Sequence, residues 1–321
     1  MSLSIMEIQN LHKTFGNKKN KTTVLNNVSF NVEQGTIHGL LGNNGAGKTT
    51  LIKCIVGLLE PDSGDIYYEN VDILKDKDIR TDNISVLLDG GRNLYLYMTV
   101  KENIKYFTML HGITNYQNTD RFKMIVEYLD IYNILNTKVS NLSFGMRQRA
   151  SLAVALACDF KLIILDEPTT GLDIHYQEEL TKLLFKLRKD FNITIIVSSH
   201  DMNFISHICD YCTLLDSGNV VKSGSVSEFI NIFGNSHYIL FYDGELNSEN
   251  ILAIKRDLKH VNINETNKVI EVLWPNEESL TYMMNYLHNQ NIFIKEIKKE
   301  NNLKSSIINL LNNNENMGGV K

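Results

Sequence analysis

The sequence predicts an α/β domain followed by a small α+β domain. Three observations carry this expectation. Strands are expected at 161–165 and 193–198, which are short, apolar and β-branched, and an amphipathic stretch from about 175 to 189 separates them. A glycine-rich segment at 42–49 sits between a short apolar strand and an apolar helix. Composition changes near Gly234-Asn235, after which strand-like and helix-like segments alternate at short intervals. Buried strands separated by helices indicate a parallel sheet.

The elements follow in order. Residues 4–8 and 28–32 alternate apolar and polar, as half-buried strands do. A polar turn is expected at 17–22 and a second at 33–35. Residues 36–41 form the strand before the glycine-rich loop, and Leu51, Ile52, Ile55 and Val56 mark the helix after it. Residues 100–135 read as helical, with Ile104, Phe107, Leu110, Phe122, Ile125, Val126 and Leu129 at steps of three and four. The first domain is placed at 1–234, with a helical subdomain at about 91–160. Strands at 238–242, 269–273 and 292–297 and helices at 248–258, 277–289 and 303–311 suggest a ferredoxin-like accessory domain at 235–311. The Asn-rich residues 312–321 are expected to be a disordered tail.

Composition excludes several roles. The net charge of -5, with dispersed Lys and Arg, argues against nucleic acid as a partner. No apolar run approaches the ~18 residues of a membrane span, and no signal-peptide pattern opens the chain, so a cytoplasmic location is expected. Work at a membrane would then require docking on another protein. Cys54, Cys158, Cys209 and Cys212 lack the second ligand pair of a zinc site and read as reduced thiols.

The strongest chemical signal is the run Gly42, Asn43, Asn44, Gly45, Ala46, Gly47, Lys48, Thr49, with Thr50 following. Between a strand and a helix, such a loop turns backbone N–H groups onto phosphates, and the helix N-terminus adds a favourable dipole. Lys48 is expected to bridge the β- and γ-phosphates of ATP, solvated while the loop is empty. Thr49 is expected to ligate Mg²⁺. A second signal is the strand that ends in Asp166-Glu167. Asp166 would hold the Mg²⁺ shell, and Glu167 would orient or deprotonate the attacking water. These two signals alone fit small-molecule kinases, GTPases and helicases as well.

Further motifs narrow the choice. Leu142-Ser143-Phe144-Gly145-Met146-Arg147-Gln148 resembles the Leu-Ser-Gly-Gly-Gln signature of ABC (ATP-binding cassette) ATPases. Pro168-Thr169-Thr170-Gly171-Leu172-Asp173 resembles their D-loop, and His200 in Ser198-Ser199-His200-Asp201 resembles their switch histidine. The resemblance spans residues 1 to about 230. It implies a P-loop NTPase cassette: a RecA-like core with an N-terminal antiparallel β subdomain and a helical signature subdomain. It further implies an ATPase in which two cassettes pack head to tail over two ATPs. Ser143, Gly145 and Asp173 would then serve the partner's nucleotide, and Phe15 would stack on adenine where the family usually has Tyr. Lys48, Glu167 and His200 would be the catalytic set.

Two departures stand out. Phe144 replaces the first signature glycine. The segment 84–92, where the family carries a glutamine, has none, and Asp89 or Gly90 occupies its place. Asp89 could ligate Mg²⁺, face the permease or cap its own turn.

A single cassette with a small C-terminal domain resembles exporter-type ATPases that pair with a separate membrane permease, such as those of drug and peptide-antibiotic resistance. Residues 302–310 weakly match the Leu-Glu-Asp-x-Phe ending of that group. The expected partners are this permease and a second cassette, in an ATP-dependent homodimer or heterodimer. The chain would lie at the inner face of the membrane. A soluble cassette of translation or DNA repair is the rival. Translation types carry two cassettes, and repair types need an insertion for which the Lys48–Ser143 interval has no room. A non-hydrolysing ATP-binding regulator is the third reading.

Overall fold

The computed structural model describes residues 3–16, 20–88, 94–158, 160–233, 236–244, 246, 250–252, 254, 261–265, 267–274, 284–289 and 292–300. The chain divides into two compact units, Met1–Val226 and Ser227–Lys321. The helix expected at 303–311 and the tail at 312–321 lie outside the described residues.

In chain order the first unit begins β1 (Ser4–Phe15), β2 (Thr22–Glu33), β3 (Ile37–Leu41), α1 (Lys48–Ile55), β4 (Ser63–Tyr68), β5 (Val71–Asp72), α2 (Lys77–Asn83) and β6 (Ile84–Leu87). It continues α3 (Val100–Leu110), α4 (Asp120–Tyr128), α5 (Phe144–Ala157), β7 (Leu162–Asp166) and α6 (Ile174–Phe191). It ends β8 (Thr194–Ser199), α7 (Met202–Ile208), β9 (Tyr211–Asp216) and β10 (Asn219–Ser225).

Two sheets result. One is antiparallel, in the order β2-β1-β4-β5; the other runs β10-β9-β3-β8-β7-β6 and is parallel except for the edge strand β10. Strands β3, β7 and β8 are buried at every position, as strands covered on both faces must be. Helix α1 buries Leu51, Ile52, Cys54 and Ile55 in a core that takes Ile8, Leu25, Phe30, Ile66 and Tyr68 from the antiparallel sheet and Leu40, Ile164 and Ile196 from the parallel one. One apolar cluster therefore fixes the glycine-rich loop from both sides.

The stretch 100–135 is not one continuous helix. Thr99 and Glu102 form a capping box at the start of α3, Gly112 turns the chain at φ +74°, and Thr119 caps α4 afresh. The apolar period runs through both helices because both pack on α5. The expected strands β3, β7 and β8 form within one residue of their expected limits, whereas β1 and β2 form but run well beyond the expected 4–8 and 28–32, because the two pair with each other along nearly their whole length. The hairpin β9–β10 was not foreseen. Its turn, Ser217-Gly218, has both φ values positive (+47° and +81°), and a Ser-Gly pair between apolar alternations is the signal it offers.

The second unit continues α8, Val226–Phe233, which spans the division. It then contains β11 (Ser236–Asp243), β12 (Val261–Asn264), β13 (Val269–Trp274) and β14 (Phe293–Glu300). The sheet is antiparallel in the order β12-β13-β11-β14, the split β-α-β arrangement. Helical residues at 250–252, 254 and 284–289 bring Ile254 and Leu287 into a core with Tyr238, Leu240, Tyr242, Ile270 and Ile292. Strand β12 is too short to announce itself by periodicity.

Candidate nucleotide site

Strands β3, β8 and β7 lie side by side with Leu41 opposite Ser199 and Asp166 opposite Ser198. The segments that leave them therefore start from one edge of the sheet, its carboxyl end, where parallel sheets bind ligands. The Gly42 N–H donates to the Ser199 carbonyl at 3.3 Å. A side chain at Gly42 would come within 2.5 Å of the Leu215 carbonyl oxygen. Gly47 has φ +107°, and a Cβ there would lie 2.8 Å from the Val24 carbonyl oxygen. Both glycines are required by close backbone approach. Asn44 and Gly45 form the exposed tip, while Ala46 and Gly47 are buried. Thr49 and Thr50 follow in the first turn of α1.

Lys48 is buried rather than solvated, with only 6% of its side chain exposed. Its Nζ donates to the carbonyl of Gly42 at 2.6 Å and of Asn43 at 3.3 Å, and lies 3.2 Å from Glu167 Oε1. The core beneath α1 pulls the lysine stem in, and the carbonyls and the carboxylate replace the lost water. The contact with Glu167 is ionic by distance but lacks hydrogen-bond geometry, so Oε1 stays without a hydrogen-bond partner among the described residues.

The acidic pair is held through Ser198. The Ser198 hydroxyl donates to Asp166 Oδ1 at 2.6 Å and accepts the Glu167 N–H at 2.9 Å. Asp166 Oδ2 accepts from the Thr49 hydroxyl at 2.8 Å, which joins the start of α1 to the end of β7. Glu167 adopts φ +47°, unusual for a residue with a side chain. Its Oε2 lies 3.0 Å from His200 Nδ1. Lys48, Thr49, Asp166, Glu167 and His200 thus form one connected group. Ser198 completes it. The sequence motif contained this serine, but only strand register shows its bridging place.

Phe15 ends β1 with 42% of its surface exposed. Lys13 Nζ lies 5.8 Å from its ring centroid. Asp62 ties this corner down, accepting from Lys13 Nζ and from the Thr14 hydroxyl and N–H. The Lys13 and Thr14 hydrogen bonds hold the Asp62 carboxyl well below the usual carboxylate range.

Among the described residues, Ser143, Gly145 and Asp173 share no hydrogen bond with the connected group of Lys48 and Glu167 and lie at the starts of α5 and α6. Ser143 caps α5, its hydroxyl accepting the Met146 N–H at 3.3 Å, and Asp173 caps α6, accepting the Tyr176 N–H at 3.1 Å. Gly145 packs against the backbone of Gly171. Asp89 and the rest of 89–93 lie outside the described residues. All four cysteines are free, and burial pushes the Cys54 and Cys158 thiols up to about 11.

Comparison with known proteins bears on this arrangement. The ABC transporter family profile matches residues 25–170. The ABC transporter ATP-binding protein NatA of Bacillus subtilis is 36% identical over 214 residues, covering 67% of this chain and 87% of NatA. The methionine import ATP-binding protein MetN 1 of Bacillus cereus is 33% identical over 238 residues, covering 73% of this chain and 68% of MetN 1. Among solved structures, the dimeric post-hydrolysis cassette MJ0796 bound to ADP and Pi superimposes with a TM-score of 0.62 at 27% identity, over 69% of this chain and 98% of that one. The cbiO1 subunit from Clostridium perfringens, part of the ABC transporter complex cbiONQ, gives 0.59 at 28% identity, over 71% of this chain and 91% of that one. By these matches the chain belongs to the ABC transporter ATP-binding proteins, the ATPase subunits whose hydrolysis of ATP powers transport.

Proposed function

We propose that two cassettes close head to tail over two ATP molecules and dock on a separate membrane permease, at the inner face of the membrane, to drive export. The observation that carries the catalytic part is the Glu167 carboxylate. It is anchored by Lys48 on one oxygen and His200 on the other, and Oε1 is buried without a hydrogen bond. A carboxylate so placed can take the proton of an attacking water. Lys48 is positioned to transfer its charge to the β- and γ-phosphates. His200 keeps the Glu167 side chain aimed.

The Thr49 hydroxyl and the Asp166 carboxylate, in direct contact, are hard oxygen ligands of the kind Mg²⁺ prefers. These two residues would hold the ion, which would neutralise charge on the phosphates. Phe15 offers an exposed ring to adenine, and Ser143, Gly145 and Asp173 lie where two helices begin, a favourable place for the partner cassette's nucleotide.

Permease docking is supported by the surface around α3. Tyr95, Leu96, Tyr97, Tyr106, Met109 and Leu110 are exposed, with Tyr97 at 86%. Beside them a cavity of about 330 Å³ is lined by Val86, Leu88, Phe107, His111, Val154 and Phe160, among others. Exposed apolar area on this scale indicates a partner.

Glu167→Gln tests the catalytic reading. It keeps the shape and loses the base, so it should bind MgATP, elute as a dimer with ATP in gel filtration and turn over about a hundredfold or more slowly. A monomer hydrolysing at the unchanged rate defeats the assignment. Import is the second reading, supported by the relatives named for methionine import. Inside-out vesicles carrying the permease decide, because only export gives ATP-dependent uptake.

A further inference from the structure

We infer that Phe144 is a positioning residue for ATP hydrolysis, acting through Gly171 on the backbone of Glu167. The Phe144 ring lies where a Gly171 side chain would be: a Cβ there would meet Phe144 Cε1 at 2.0 Å and Cδ1 at 2.4 Å. Gly171 has φ +77°, so glycine at this position serves both the turn and the ring. The next residue of α5, Gly145, also lies near Gly171, since its own Cβ would be 3.2 Å from the Gly171 carbonyl oxygen. One turn on, Gln148 Nε2 reaches the Pro168 carbonyl at 3.5 Å. The start of α5 is therefore clamped to the segment 168–171 of the same chain.

That segment leads straight to the catalytic carboxylate. The Thr170 N–H donates to the Glu167 carbonyl at 3.1 Å, and the Leu172 N–H donates to the Thr169 carbonyl at 3.1 Å. Glu167 itself sits at φ +47°, a conformation that persists only when its surroundings impose it. Ser198 constrains it from the N–H side. The Thr170 turn constrains it from the carbonyl side, and Gly171, beneath the Phe144 ring, follows that turn directly. Phe144 is 54% exposed, so the ring adds little to the core. Its contact with Gly171 serves placement more than stability. The residue that departs from the family signature thus supplies a wedge between the signature turn and the hydrolytic loop.

The test compares Phe144→Ala and Phe144→Tyr in the full chain. Steady-state ATPase should show kcat lower by about tenfold in the alanine variant, with KM for ATP unchanged within about twofold, because a misplaced base slows the step without touching ground-state binding. Deuterium exchange at the Thr170 amide should speed up. Phe144→Tyr, which keeps the ring, should restore both. An unchanged kcat in the alanine variant overturns the inference. So does a raised KM at constant kcat, which would make Phe144 a nucleotide contact, and so does failure of tyrosine to rescue. If the alanine variant does not fold, Phe144→Leu, which keeps bulk without the ring edge, is read by the same criteria.

Discussion

Lys48 Nζ and Glu167 Oε1 lie 3.2 Å apart with both side chains largely withdrawn from water. The lysine of the glycine-rich loop is thus paired with the carboxylate proposed as the base. On that proposal, nucleotide phosphates, carrying more charge than one carboxylate, would draw the lysine away and leave Glu167 free to act. Lys48→Ala should abolish ATP binding and, unlike loss of a solvated lysine, also destabilise the empty fold by about 1–3 kcal/mol, since a buried carboxylate loses its counter-charge. Adding Glu167→Gln to it should recover part of that loss. Thermal melts of the two variants without nucleotide measure this, and equal melting temperatures would disprove the coupling.

Ser198 ties both acids to β8. Ser198→Ala leaves Asp166 Oδ1 and the Glu167 N–H without this partner, at a cost of about 1–3 kcal/mol. ATPase should fall about tenfold as the base loses its frame. Kinetics and urea unfolding should therefore both respond, and an effect on stability alone would remove Ser198 from the catalytic frame.

Phe15 offers a ring and no hydroxyl. Phe15→Ala should raise KM for ATP by up to about tenfold, the range of an aromatic stacking contact, while Phe15→Tyr should leave it within about twofold. If alanine binds ATP as tightly as phenylalanine, the adenine rests elsewhere.

His38 gives the first unit a pH dependence. It is fully buried against Phe30 with Nε2 2.9 Å from the Thr213 hydroxyl, and burial lowers its pKa to about 3. The unfolded imidazole takes a proton below its ordinary value of 6.5, and the folded one does not until about 3. Stability is therefore lost as pH falls through that window, by at most about 1.4 kcal/mol per pH unit. His38→Gln should flatten this slope. Urea titrations between about pH 6 and pH 4 compare the two, and identical slopes would rule the histidine out.

The candidate site was legible wherever chemistry demands adjacent residue types. Gly42, Gly47, Lys48 and Thr49 announce a phosphate loop because the backbone leaves no room for a side chain at either glycine and the lysine and hydroxyl follow at the required spacing. Asp166 and Glu167 follow because a strand end must present them together. What tertiary structure adds was not legible. Lys48 reads as an exposed lysine until α1 packs on its core. Ser198 becomes a bridge only through the register that sets it beside Asp166. The division of 100–135 depends on two threonine caps that apolar spacing does not weigh.

The Ser217-Gly218 turn has a consequence for how the cassette is made. The Gly218 N–H donates to the Ala46 carbonyl at 3.0 Å, and its carbonyl accepts from the Asn26 N–H at 2.8 Å. Strand β3, which launches the phosphate loop, lies between β8 and β9, both encoded far downstream. A segment translated early is thus framed by segments translated late, and such distant pairings are slow to form. During synthesis the glycine-rich loop should therefore lack this frame until residue 218 has emerged. Nascent chains arrested before that point should be retained by no ATP resin, whereas chains released after it should be.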